Sequence, residues 1–96
     1  MNKETMIAIR ADPNDPEDFD VSIAGVERAD MGRWLRMLRG RLGMSQAEFA
    51  TAYRIPVANL RQYEIGRHMP PPAVRAYLKV IGEEPEVIAR ALAKSA

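Results

Sequence analysis

The sequence predicts an all-α fold: five short helices preceded by an acidic N-terminal segment that is extended or partly disordered. Three observations predict it. From Asp30 onward apolar residues recur at helical spacing, as in Met31, Trp34, Leu35, Leu38 and Leu42. Glycines at 43, 66 and 82 read as helix stops, and Pro56 and Pro85 sit where helices begin. Upstream, Ala11-Asp12-Pro13-Asn14-Asp15-Pro16-Glu17-Asp18 sets two prolines among carboxylates and forbids a helix.

Composition narrows the class of function. The chain has 96 residues, 47% of them hydrophobic and 28% charged, which suits one small soluble domain. No apolar run approaches the roughly 20 residues that span a bilayer, and the N-terminus lacks the basic-then-apolar layout of a signal peptide. The absence of cysteine excludes disulfide frameworks, thiol catalysis and zinc ribbons, and it fits a cytoplasmic location. His68 is the only histidine, and no Ser, Cys or carboxylate stands beside it in sequence. Neither a catalytic group nor a metal site is expected, and no cofactor. The charge distribution is more telling than the net +1. Residues 1–30 hold three basic and eight acidic side chains, a net −5, whereas residues 31–80 hold nine basic and two acidic, a net +7. Residues 81–96 carry a net −1. The middle of the chain is suited to a polyanion and the front to a polycation.

Each element can be justified in order. In the front, Thr5–Ile9 is apolar and Phe19–Ile23 alternates with period 2, so two extended pieces flank the turn-rich linker. The first helix is expected from an Asp30 N-cap to Leu42, stopped by Gly43. Ser45-Gln46-Ala47-Glu48 reads as a capping box that opens a second helix ending near Tyr53, with Ala47, Phe49, Ala50 and Tyr53 available to face inward. Pro56 starts a third helix from Val57 to Ile65, closed by Gly66. Leu60, Tyr63 and Glu64 share its inward face; Ala58, Arg61, Gln62 and Ile65 share the opposite one. A fourth helix carries the stripe Val74, Tyr77, Leu78 and Ile81 and stops at Gly82. A fifth follows Glu84-Pro85-Glu86, with acids at its positive end, and buries Val87, Ile88, Ala91 and Leu92. Trp34 and the three tyrosines fall on inward stripes. The domain division expected is 1–29 for the acidic segment and 30–96 for the helical domain.

Two short helices joined by a tight turn within a basic domain have the layout of a helix-turn-helix. Arg39, then Leu42-Gly43-Met44-Ser45-Gln46-Ala47-Glu48-Phe49-Ala50, then Leu60 and Glu64-x-Gly66-Arg67 resemble the lambda-repressor/Cro-like (XRE) family over roughly residues 31–81. The resemblance implies a lambda-repressor-like five-helix domain in which Ser45–Tyr53 supports and Pro56–Ile65 reads DNA. It implies contacts to double-stranded DNA from Ser45, Gln46, Val57, Ala58, Asn59, Arg61, Gln62, Arg67 and His68. Gln46 then meets a phosphate or the first base. Arg61 suits guanine O6/N7, Gln62 or Asn59 adenine N6/N7, and Val57 and Ala58 a thymine methyl. Arg39 and Glu64 match the family's buried ion pair.

Two positions depart from that family. Arg54 stands where glycine is usual, which implies either a left-handed residue at a cost of about 1–2 kcal/mol or a reshaped turn. Pro56 stands where a serine or threonine cap is usual.

The short acidic front makes the chain resemble antitoxins of type II toxin–antitoxin operons, in particular the HigA-like group. That resemblance implies a homodimer on a pseudo-palindromic operator, autoregulation, and a basic RelE/HigB-like ribonuclease as partner. Met6, Ile7, Ile9, Phe19, Val21 and Ile23 are the expected partner-binding anchors. A dimerisation arm or a plain tail are the other readings of residues 1–29. The fifth helix either forms the dimer interface or packs on its own domain. Other functions open are a stand-alone XRE-type regulator and a helical adaptor that binds no DNA.

Overall fold

The computed structural model describes residues 22–94. They form five helices: α1 (Ile23–Leu42), α2 (Gln46–Tyr53), α3 (Val57–Glu64), α4 (Pro72–Glu83) and α5 (Pro85–Lys94). No strand occurs among the described residues. Met6, Ile7, Ile9, Phe19 and Val21 lie outside them.

The first helix is capped eight residues before the expected Asp30. Ser22, in extended conformation, accepts a hydrogen bond from Gly25 N–H at 3.1 Å and supplies the cap. From Ile23 to Ala29 no proline interrupts and only Gly25 weakens the helix, so the cap at Ser22 propagates. Asp30 instead pairs with Arg33 one turn on, 2.7 Å away on the exposed surface. Ile23 is therefore no part of an extended segment; it occupies the first turn of α1 and is 81% exposed. The helix ends as expected. Gly43 adopts a left-handed conformation (φ 67°), and its N–H bonds back to Arg39 and Gly40 carbonyls.

At α2 the capping box forms: Ser45 Oγ accepts from Glu48 N–H at 3.0 Å, and the Glu48 carboxylate accepts from Ser45 N–H at 2.8 Å. Arg54 then takes the left-handed region (φ 61°) and returns its N–H to Ala50. It is the only non-glycine residue with positive φ among those described. Its guanidinium reaches Leu92 O at 2.8 Å, tying the turn to the last helix.

The core gathers Leu35 and Leu38 of α1, Phe49, Ala50 and Tyr53 of α2, Ile55 of the turn, Leu60 and Tyr63 of α3, and Leu78 and Ile81 of α4. Phe49 and Tyr53 stack at a tilt, with centroids 4.8 Å apart. α3 packs on both α1 and α2, while α5 packs on α2 and α4. Two tyrosines pin the α4–α5 side to α2: Tyr53 donates to Pro85 O at 3.0 Å and Tyr77 donates to Tyr53 O at 2.7 Å. Burial first, then the charge of Glu86, pushes the Tyr53 hydroxyl up and keeps it a donor.

Several register expectations are corrected. Gly82 does not end α4, which continues to Glu83. The glycine is there for approach: a Cβ on it would lie 2.9 Å from Trp34 Cζ2. Trp34 is thus packed along one edge and 37% exposed, not enclosed in the core. On α5 the inward residues are Ile88, Ala89 and Leu92, whereas Val87 and Ala91 face out. Ala47 is exposed as well, since Phe49, Ala50 and Tyr53 already fill the inward side of α2.

Candidate nucleic-acid interface

α2, a turn of three residues (Arg54, Ile55, Pro56) and α3 form a helix-turn-helix. The inner face of α3 is closed: Leu60 is fully buried, with Tyr63 and Glu64 at 8% and 2% exposure. Ala58, Asn59 and Arg61 are exposed on the other side, with Gln62 half-buried beside them. Val57 turns partly back onto the core and offers less to a ligand than its neighbours. Pro56 provides no side-chain cap, so the start of α3 depends on its backbone alone.

The C-terminal end of α3 is held by α1. Arg39 grips the Glu64 carboxylate through both oxygens, Nε to Oε2 at 2.6 Å and Nη2 to Oε1 at 2.9 Å, and donates a third bond to Met44 O at 3.0 Å. The bond to Glu64 pushes the Arg39 guanidinium further above its already high range, against the burial that opposes it. Arg36 donates to Glu64 O, and Arg28 donates to Gly66 O at 3.0 Å. These cations meet carbonyls at the negative end of α3, where positive charge is favoured. Gly32 permits this closeness. A Cβ there would meet Tyr63 O and the Glu64 carbonyl carbon, each at 2.9 Å, and lie nearer still to Glu64 O.

Past α3 the chain folds back over the last turn. Arg67 and His68 N–H groups both point to Gln62 O, at 3.0 and 3.4 Å, helped by the positive φ of Gly66 (78°). Their side chains remain exposed, and a shallow groove opens between α3 and this loop, lined by Ala58, Asn59, Gln62, His68 and Pro71. At the other end, Ser45 is exposed at the start of α2 and Gln46 is half-buried. Gln46 does not extend freely outward. Its Nε2 donates to Glu64 Oε1 at 3.0 Å and its Oε1 accepts from Arg61 Nε at 3.4 Å.

The sequence model of the family described as a helix-turn-helix domain matches residues 30–91, well over half of the chain. The chain belongs to that helix-turn-helix family. This is a family of DNA-binding regulators, in keeping with the XRE-like resemblance. No curated protein and no solved structure matches the chain. Of the residues expected at the interface, Ser45, Ala58, Asn59, Arg61, Arg67 and His68 are exposed, and Gln46, Val57 and Gln62 are half-buried.

Several of the cations in residues 31–80 are held in place within the domain. Arg39 pairs with Glu64 and Arg33 with Asp30, while Arg36, Arg54 and Arg75 donate to backbone carbonyls and keep their charge, Arg75 to Pro70 O at 2.7 Å. Sequence reading missed Arg28, Gly32 and Arg36 as the brace. Their spacing with Arg39, at intervals of four, four and three, places all of them on one helical face. That signal becomes visible only once α1 is extended back to Ile23. Among the described residues no cluster of His, Asp or Glu side chains is arranged to hold a metal ion, and no helix is long and apolar enough to cross a membrane.

Proposed function

We propose that this protein is a sequence-specific transcriptional repressor that binds double-stranded operator DNA as a homodimer and serves as the antitoxin of a type II toxin–antitoxin operon, autoregulating its promoter. The observation that carries DNA reading is α3 itself: an eight-residue helix with its inner face sealed, its C-terminal end clamped, and Ala58, Asn59 and Arg61 exposed. Ser45, Arg67 and His68 flank that face as phosphate-side groups, with Gln46 beside Arg61. Arg61, Asn59 and Gln62 are the base-edge candidates, with Ala58 and the partly turned Val57 against methyl groups. One such helix covers only a few base pairs, so two copies on half-sites about 10 bp or a multiple apart follow.

The antitoxin part rests on charge. A net −5 over residues 1–30, interspersed with Met6, Ile7, Ile9, Phe19 and Val21, suits the cationic surface of a RelE/HigB-like ribonuclease. The protein acts on DNA without chemistry, and needs no cofactor.

Footprinting and titration on the chain's own promoter test the first part. Specific protection is expected, with affinity falling with salt at a log–log slope of about −0.9 per phosphate contacted. No protection at any salt would identify a helical adaptor instead. Co-expression of the full chain and of residues 22–96 with the neighbouring operon protein tests the second. Capture by the full chain only is expected; equal capture removes the acidic segment from the interface, and capture by neither leaves a stand-alone regulator.

A further inference from the structure

A phosphate contact needs only one end of the Gln46 amide, yet both ends are engaged inside the domain. The carboxylate of Glu64 only accepts and the guanidinium of Arg61 only donates, so the amide has one orientation that serves both: nitrogen to Glu64, oxygen to Arg61. Glu64 is itself immobile, 2% exposed and bound through both oxygens by Arg39. Four side chains thus run in series from a buried ion pair to an exposed cation. The order is Arg39, Glu64, Gln46, Arg61. The last link uses only Nε of Arg61, leaving its two terminal nitrogens as an unobstructed fork. That fork is the group that matches guanine O6 and N7 bidentately in a major groove.

We propose that Gln46 is a positioning residue for base reading: it holds Arg61 by Nε and aims the guanidinium fork at a guanine, transmitting the rigidity of the Arg39–Glu64 pair to the DNA-facing surface. The proposal rests on the DNA-binding reading above. Its physical basis is preorganisation. An exposed arginine samples many rotamers, and freezing one of them on contact with a base weakens the contact; a tether made beforehand within the protein removes part of that loss.

The test uses the full chain. Binding sites are selected from a randomised duplex library, and affinities are then measured at fixed salt for the selected site and each single-base-pair variant. Wild type, Gln46→Ala, Arg61→Ala and the double variant are compared. Arg61→Ala is expected to erase a guanine preference of about tenfold or more at one position. Gln46→Ala is expected to lower the preference at that same position about threefold or more, with other positions and the salt slope unchanged. The double variant is expected to be no worse than Arg61→Ala.

An even loss over all sequences, with no position singled out, is the signature of a phosphate ligand and overturns the relay. So do independent, multiplying effects of the two substitutions. Should Gln46→Ala fail to fold, Gln46→Met occupies similar space without either hydrogen bond and is read by the same criteria. A wild-type chain that enriches no sequence overturns the DNA reading and the relay together, whereas a chain that enriches a site but shows no Gln46–Arg61 coupling overturns the relay alone.

Discussion

α2 and α3 are both eight residues long and sit on either side of one turn, yet they are fixed by different means. α2 carries its own instructions. Its capping box is closed by Ser45 and Glu48, four residues of contiguous sequence, and its inward residues Phe49, Ala50 and Tyr53 follow helical spacing. α3 begins at a proline with no side-chain cap and ends at a carboxylate and two carbonyls that α1 satisfies from 25 to 38 positions away in sequence. The supporting helix is local in origin and the reading helix is tertiary. The difference is useful to a DNA reader, because the angle of α3 is then set by the body of the domain and not by its own marginal helix propensity.

The largest effect should come from breaking the tertiary side. Arg39→Ala leaves a carboxylate at 2% exposure with only Gln46 as a hydrogen-bonding side chain, and should destabilise the domain by roughly 3 kcal/mol. Chemical denaturation measures it, and a loss below about 0.5 kcal/mol would show that the pair carries no burden. Next in size is Gly32→Ala. Its new methyl meets the backbone of Tyr63 and Glu64, which cannot rotate aside, so α1 and α3 must separate. A cost of about 2 kcal/mol is expected, in the range for overpacking. The more specific expectation is a loss of operator affinity larger than the fraction unfolded explains, since the displaced element is α3. Full affinity in the folded fraction would show that α3 tolerates the shift.

What was legible in the sequence follows the same division. The stop at Gly43, the capping box and the inward register of Leu60, Tyr63 and Glu64 all depend on neighbours a few residues apart, and the structure shows each of them. For Arg54 the family resemblance offers a left-handed residue or a reshaped turn, and the first is found. The Arg39–Glu64 pair was legible through family resemblance together with that register. Gly82 was not, because a glycine needed for a left-handed stop and one needed for close packing look identical until Trp34 is placed beside it. α5 carries apolar residues on two faces, so its register waits on α2 and α4. The start of α1 was lost because Phe19–Ile23 alternates like a strand while Ser22 is a cap, and with it went Arg28 as part of the brace.

The smallest effect sharpens the local side. Ser45→Ala removes the acceptor for Glu48 N–H and should cost about 1 kcal/mol. That substitution alone confuses two roles, since Ser45 is also exposed at the start of α2, where a phosphate would sit. Ser45→Asp separates them. Aspartate caps as well as serine, so thermal stability should stay within about 0.5 kcal/mol of wild type. Its charge would nevertheless repel a phosphate, and its carboxylate has no proton to donate. Operator affinity should therefore fall, most at low salt, where screening is weakest. If Ser45→Asp retains both stability and affinity, Ser45 is a cap and nothing more, and the phosphate contacts lie beyond α3.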